Sequence, residues 1–528
     1  MTSEGINTSV LAVLGAGGMG AGLCLLLAEH GHTVYFFDPN EENVQKLSND
    51  AFQIGLQDKV TNCKSVESLF RNINDEVHAA VYLMSVPHGA AADKAVDSLR
   101  PFLRPDDVII DCGNEHYENT ERRQKDLAVY GVKYIGCGVS GGYQSARSGP
   151  SMSPGGDLDV VRSLLPFFQK IAAKDDQGNP CTAVIGTGGS GHYVKMIHNG
   201  IEHGMMGILG EIWLIMSRGL RMSNDEIAET LESWNNTGEL RGCFLLGIGA
   251  DLLRATNDKG EHVLSTIRDK VVQDAEGSEG TGTWTCAEAI SHHSPAATIV
   301  AAHFYRCASA FAASREKVTA SLAFGDLPQP PQEMAIDSVD EFLAALHAAT
   351  CFGFLSCFAQ GLNVLRAKAK QAGWHLKYTD VVQVWRAGCI IRADGILSTF
   401  DSVFKNGDCE VDDLFWGSEV TGAMHQRMSF VKRVVLAATD ADMLLPTISQ
   451  SFEHFKYIQA THGPAQFIEA QMDYFGKHMF DTWTEPPGGP KRANTTLSGS
   501  KRKALRTIDQ PLHIYILFNV ARVARDNK

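Results

Sequence analysis

The chain has 528 residues, 44% of them hydrophobic, which is material for two or three domains. A formal net charge of −14 works against a nucleic-acid or anionic-membrane surface, so neither partner is expected. The 12 cysteines lack paired metal-ligand spacing, no basic leader with a cleavage site is evident, and no run approaches the ~20 apolar residues of a bilayer span; the expectation is a soluble cytoplasmic protein without a metal site.

Ser9 to Leu14 is an apolar strand pattern. Gly15-Ala16-Gly17-Gly18-Met19-Gly20 follows, and then a helical pattern from Ala21 to His30. Strand, GxGxxG and helix in that order is the context of a dinucleotide-binding turn. The glycines allow a tight bend and let a pyrophosphate approach the helix N-terminus. A second strand, 34–37, ends in Asp38, about twenty residues past the glycines, where an acid bonds the adenosine ribose hydroxyls. In Asp38-Pro39-Asn40 the same residue also reads as a turn aspartate.

Strands continue at Ala79 to Val86, Val108 to Cys112 and Tyr134 to Cys137. They run into Pro87-His88-Gly89, Gly113-Asn114 and Gly138-Val139-Ser140-Gly141-Gly142. Ligands of such sheets sit beyond the carboxyl ends of the strands. Asn114, Ser140, Gly141 and Gly142 are therefore expected in the cofactor–substrate crevice. The pattern predicts an α/β Rossmann-type domain over 1–188, a large all-α domain over 189–460 and an extended C-terminal tail over 461–528.

Glycines give way to a helix near Ser190. Lys195, His198, Asn199 and Glu202 are three, four and seven residues apart and share one face. A lysine, an imidazole, an amide and a carboxylate thus point the same way, beside an apolar stripe of Val194, Ile197, Ile201 and Met205. Spacing alone leaves a solvated face of ordinary charges open. Gly200 and Gly204 each weaken a helix by about 1 kcal/mol, which predicts that another element packs close there. Farther on, a glycine-rich loop spans Glu276 to Trp284, and a proline-rich connector spans 325–331. From Thr461 the chain reads as irregular, with a basic stretch from Lys491 to Arg506.

From the first strand to about His478 the sequence resembles the 6-phosphogluconate dehydrogenases. The resemblance rests on Gly113-Asn114, the 138–142 run with Ala146-Arg147 and Gly149-Pro150, and His192 to Glu202. Gly280-Thr-Gly-Thr-Trp284, Trp385 to Arg392 and Asp473-Tyr-Phe-Gly476 extend it. It implies oxidative decarboxylation of a 3-hydroxy aldonate in a homodimer whose tail enters the partner subunit. By that resemblance Lys195 takes the 3-hydroxyl proton as hydride leaves C3, and Glu202 donates a proton to C1 of the enediol. Asn114, Ser140, Gly141, Gly142, His198, Asn199, Thr281, Arg306 and His478 would hold the sugar acid. Gly15, Ala16, Gly17, Gly18, Met19, Gly20, Asp38, Val86 and Asn114 would hold the cofactor.

The departures bear on specificity. Asp38-Pro39-Asn40 stands where the family has Asn-Arg-Thr, so NAD is expected over NADP. His203, Glu279 and Met472 replace a tyrosine, a lysine and a tail arginine of the phosphate grip, which predicts a weaker hold on a 6-phosphate. The alternatives are the same chemistry on a non-phosphorylated aldonate, or a β-hydroxyacid dehydrogenase that stops at the ketone.

Overall fold

The computed structural model describes residues 6–73, 78–273, 280–322, 331–406, 413–415, 419–476 and 478–482. Seven strands form one sheet: β1 (Val10–Leu14), β2 (Thr33–Phe37), β3 (Val60–Asn62), β4 (Val81–Met84), β5 (Val108–Asp111), β6 (Lys133–Ser140) and β7 (Ser151–Gly155). Their order is β3-β2-β1-β4-β5-β6-β7. The first six are parallel, and β7 runs antiparallel to β6 at the edge. The connecting helices are α1 (Gly18–Glu29), α2 (Glu41–Gln53), α3 (Val66–Ile73), α4 (Ala90–Leu99), α5 (Tyr117–Ala128), α6 (Gly142–Ser148) and α7 (Leu158–Ile171).

Successive strand residues face opposite sides of a sheet. On β1, Leu11 and Val13 enter one apolar cluster with Leu23 and Leu27 of α1. Ala12 and Leu14 enter another with Leu69 of α3 and Val96 of α4. The sheet is thus covered on both faces, and the strand order reverses between β1 and β4. That reversal opens a crevice at the strands' carboxyl ends.

Several boundaries differ from expectation. Helix α1 begins at Gly18, inside the glycine motif, three residues before Ala21. Strand β6 extends through Ser140 because β7 pairs with it from Gly136 to Ser140. β3 and β7 were not expected. β3 is three residues with one buried side chain, and β7 carries Pro154 and Gly155, which an edge strand tolerates.

The 25-residue helix α8 (Ser190–Leu214) begins where expected and organises the helical part. It packs on β6 and β7 and against the helices Thr281–Ser291, Ala297–Ser309 and Val339–Ala372. Gly200 and Gly204 do mark close packing. A Cβ on Gly200 would lie 2.3 Å from Thr285 Cγ2, and one on Gly204 2.5 Å from Cys357 Sγ. The sequence expectation that no run is apolar enough to span a bilayer needs correction. Val339–Ala372 has a window of mean hydropathy 1.8, and 83% of that window is buried inside the fold. Its apolar surface serves the helical core.

Met1–His454 forms one compact unit and Phe455–Lys528 another. The second is not irregular throughout, since Ala465–Gly476 is a helix. Phe467, Ile468, Met472 and Phe475 recur there at helical spacing. Buried Asp473 accepts a bond from Met479 N at 2.9 Å, and the His478 ring meets Phe475 edge-on at 5.9 Å. Glu279, Lys491 and Arg492 lie outside the described residues, as does the proline-rich connector up to residue 330.

Candidate functional site

The glycine turn is dictated by space. Gly15 has φ +94°, and a Cβ there would sit 2.2 Å from Ser85 O at the end of β4. A Cβ on Gly20 would sit 2.0 Å from Gly15 O, so α1 can approach the strand only with glycine here. Gly17 has nothing within 4 Å of its missing side chain and faces open space. Asp38 ties the turn to β2. Its Oδ2 accepts from Ala16 N at 2.6 Å and its Oδ1 from Asn40 N at 2.8 Å. The turn-aspartate role is therefore present; Asn43 Nδ2 also lies 3.3 Å from both oxygens, and a ribose hydroxyl would take the place of that longer bond.

A cavity of ≈ 700 Å³ opens in front of this turn. Gly17, Gly18, Met19, Gly20 and Val86 line one side, Asn114, Gly141 and Gly142 the middle, and Lys195, Asn199, Glu202 and Arg306 the other. Most of the expected contacts thus meet on one wall. Gly15, Ala16 and Asp38 are not on that wall. Ser140 is the buried last residue of β6, and Thr281 and His198 are buried beneath the lining. His478 belongs to the second unit.

Lys195 is placed by the way α8 starts. His192 lies 3.0 Å from Asp111 O through Nε2 and 2.7 Å from Thr120 Oγ1 through Nδ1, which pins the first turn to β5 and α5. A Cβ on Gly138 would lie 2.3 Å from Lys195 Cβ, so the lysine stem crosses β6 where no side chain stands. Gly141 has φ +103° and a missing Cβ 2.3 Å from Gly388 O. The run Trp385 to Arg392 therefore backs the 138–142 run, and its Ile390 reaches the cavity.

Lys195 and Asn199 are buried, while the Glu202 side chain is 20% exposed. Asn199 Nδ2 donates to Thr281 Oγ1 at 2.9 Å, and Asn199 Oδ1 lies 3.0 Å from His198 Nδ1. Glu202 Oε2 is 3.6 Å from the same imidazole nitrogen. Burial, and then the neighbouring Lys195 charge, push His198 well below its ordinary value, so it is neutral. Its buried Nε2 has no hydrogen-bond partner among the described residues.

Two further features shape the wall. His203 lines the cavity eight residues after Lys195 on the same face, stacked on His303 at 5.9 Å. Burial, then Arg306 and His303, push it down to about 3. Its place on the wall agrees with the sequence expectation that it stands in for a tyrosine of the phosphate grip. The second feature is a buried ion network under the strand ends. Arg123 bonds Glu115 at 2.6 Å, Asp93 at 2.9 Å and Gly89 O at 3.0 Å. Glu115 accepts from Gly89 N at 2.9 Å, and Tyr134 Oη donates to Asp111 Oδ2 at 2.5 Å. Burial pushes the Glu115 carboxyl up, but bonds from Asn119, Arg123 and Gly89 outweigh it and hold it below the usual range. The network fixes the 87–89 and 113–114 loops, and no local sequence pattern announces it.

The residues fit a dinucleotide on physical grounds: an open glycine at a helix N-terminus, facing the same cavity as the reactive face of α8. The family description "NAD binding domain of 6-phosphogluconate dehydrogenase" matches residues 10–186, and "6-phosphogluconate dehydrogenase, C-terminal domain" matches 191–495. A decarboxylating 6-phosphogluconate dehydrogenase of Emericella nidulans is 38% identical, over 89% of this chain and 96% of that protein. The Escherichia coli K12 enzyme of the same name is 33% identical over 89% and 96%. A Plasmodium falciparum 6-phosphogluconate dehydrogenase, solved apo, with NADP+ and with 6-phosphogluconate, superposes with a TM-score of 0.81 at 29% identity, covering 90% of this chain and 98% of that one. With both halves matched and nearly the full length of these relatives covered, the chain belongs to the 6-phosphogluconate dehydrogenase family.

Proposed function

We propose that the chain oxidises a 3-hydroxy aldonate of the 6-phosphogluconate type at C3 and releases C1 as CO2, with NAD preferred over NADP. The observation that carries this reading is the single wall shared by the glycine turn and by Lys195, Asn199 and Glu202. The nicotinamide, when bound, accepts the hydride. Lys195 takes the 3-hydroxyl proton, which requires it to enter the reaction neutral, a form that a poorly solvated site favours. Once protonated, the same group stabilises the enol oxygen after CO2 leaves. Glu202 then delivers a proton to C1. Asn199 is held by Thr281 and orients the sugar acid, and His198 supports Asn199 and Glu202 from beneath the lining through Nδ1. His478, from a partner subunit's tail, completes the site.

The cofactor preference rests on Asp38 and Pro39. A 2′-phosphate ~4 Å from Asp38 is repelled by about 1–4 kcal/mol, roughly fivefold to several hundredfold in binding. At the substrate's far end, Arg306 is the cation besides Lys195 on the wall among the described residues, and neutral His203 adds no charge. This favours, as a second reading, a substrate whose far end carries less charge than a phosphate.

The test is a panel of 6-phosphogluconate and gluconate-like acids with NAD and NADP, recording reduced cofactor and CO2 together. Equal yields of both and a higher kcat/KM with NAD are expected. Reduced cofactor without CO2 points to a β-hydroxyacid dehydrogenase instead. A higher kcat/KM with NADP overturns the cofactor assignment.

A further inference from the structure

Two thiols stand side by side at the floor of the cavity. Asp111 of β5 pairs with Gly136 of β6 in parallel register, so one step on Cys112 faces Cys137. Both side chains enter the same apolar cluster on the same face of the sheet. The strand register and the shared cluster set the two thiols next to each other. Both are buried, Cys112 at 6% exposure and Cys137 at 0%, and they differ in what they face. Cys112 is on the cavity wall, whereas Cys137 is fully buried behind it. Cys112 is the one cysteine on that wall among the described residues.

We propose that Cys112 is a modification site, at which a hydroperoxide entering the crevice drives a reversible disulfide to Cys137 that switches the enzyme off. The Cys112 sulfur attacks one peroxide oxygen, the O–O bond breaks, and water leaves. Cys112 is thereby oxidised to a sulfenic acid and the peroxide is reduced. The Cys137 sulfur then attacks the Cys112 sulfur; the S–S bond forms and the S–O bond breaks. The Cys137 proton departs with the hydroxyl as a second water. Two thiols and one peroxide thus give one disulfide and two waters.

The geometry permits the bond. Neighbouring strands lie about 4.7–4.9 Å apart, inside the ~4.4–6.8 Å Cα separation that disulfides span. The Cys112 end of such a bridge lines the cavity and is open to a reductant, and accessible bridges are the labile, regulatory kind. Burial holds the Cys137 thiol well above its ordinary value, so it is not the sulfur that peroxide meets first; its place beside Cys112 in the strand register makes it the resolving thiol. The consequence for the site follows from chain order. Gly113 and Asn114 come directly after Cys112 and line the cavity, with Gly113 N held on Asp111 Oδ1 at 3.0 Å. Drawing Cys112 toward β6 displaces them, and a shift of about 1 Å at a reacting site costs about 10²-fold.

The proposal rests on the dehydrogenase reading for its activity readout alone, because the bond itself is read by mass. The full-length protein is treated with graded hydrogen peroxide, its free thiols are blocked, and its peptides are mapped. The expected result is a Cys112–Cys137 cross-link that rises as activity falls roughly tenfold or more, with both reversed by dithiothreitol. Saturating NAD slows the cross-link. Cys137→Ser starts with wild-type activity, but peroxide carries its Cys112 on to sulfinic acid and dithiothreitol no longer restores turnover. A disulfide elsewhere that tracks the loss, such as Cys181 with Cys389, overturns the proposal. So does Cys112→Ala losing activity to peroxide at the wild-type rate. If no aldonate is turned over at all, the peptide map still decides whether the bond forms.

Discussion

Lys195 and Glu202 are two turns apart on α8 and face one cavity, so one rigid helix carries both of the proposed proton-transfer groups. Lys195→Met keeps the length of the side chain and removes the proton acceptor. Formation of reduced cofactor should fall by roughly 10²–10⁴-fold with cofactor affinity kept, as seen by stopped-flow and by fluorescence titration. Glu202→Gln should retain a first burst of reduced cofactor and lose steady turnover; near-normal turnover in the lysine variant would sink the assignment. Nine residues beyond Glu202, the same helix carries a carboxylate with a structural role. Glu211 is buried and accepts from Thr447 N at 2.6 Å and Ile448 N at 2.9 Å. Burial, offset in part by those bonds, raises it from 4.5 to about 7. Between those values the folded chain keeps a proton that the unfolded chain has shed. Its stabilising effect is therefore complete below about pH 4.5, declines as pH rises, and is gone above about 7, a change of about 3 kcal/mol at most. The stability difference between wild type and Glu211→Gln, from urea unfolding, should shrink from pH 5 to pH 8. An unchanged difference would show that burial does not raise this carboxyl.

At the scale of elements, the site depends on how closely α8 meets the Thr281–Ser291 helix. Thr285 Oγ1 donates to Met196 O at 2.8 Å, and the Thr285 methyl occupies the space a side chain on Gly200 would need. Gly200→Ala gains about 1 kcal/mol of helix propensity but overpacks the contact at a cost of about 1–3 kcal/mol. It should lower the urea midpoint and raise KM, since Asn199 and Thr281 meet one residue away. Thr285→Ser removes the offending methyl and keeps the hydroxyl bond, so the double variant should recover most of the loss. A double variant as unstable as Gly200→Ala alone would place the strain elsewhere. The same contact shows what the sequence could reveal. The two glycines break a strong helical pattern, which is legible because periodicity is local. The glycine turn was legible for the same reason, with its strand before and its helix after. The partner of each glycine was not, because Thr285 and Cys357 are 85 and 153 residues away in the chain. His192, an apparent neighbour of the reactive face, proves to be the pin that holds α8 to Asp111 and Thr120. β7 escaped notice because Pro154 and Gly155 contradict strand propensity, and its place is set by pairing with β6.

At the scale of the whole molecule, the single chain leaves apolar surface uncovered in each of its two units. In the first, Ile290, Phe304, Tyr305 and Phe311 are 59–68% exposed along the helices between Thr281 and Leu322. In the second, Phe467, Ile468 and Phe475 are 70%, 52% and 72% exposed on one helix. Clusters of large exposed side chains on a folded protein mark surfaces that another protein covers. The occupant we propose is a second copy, whose tail would bring His478 to the neighbour's substrate. Each chain carries a net charge of −14, so association brings two strongly acidic molecules together and must be driven by apolar burial. Salt shortens the reach of that repulsion, with a Debye length of about 10 Å at 0.1 M and about 3 Å at 1 M. The dimer should therefore tighten as ionic strength rises, the opposite of an interface held by ion pairs. Light scattering should give twice the 57.4 kDa chain mass, with the dissociation midpoint moving to lower protein concentration from 0.05 to 0.5 M salt (about 14 to 4 Å of screening). A chain ending at Ala460 should bind cofactor and turn over no aldonate, since it lacks His478, the residue proposed to complete the partner's site. A monomer with full activity, or a truncated chain that matches the intact one, would contradict the tail's role.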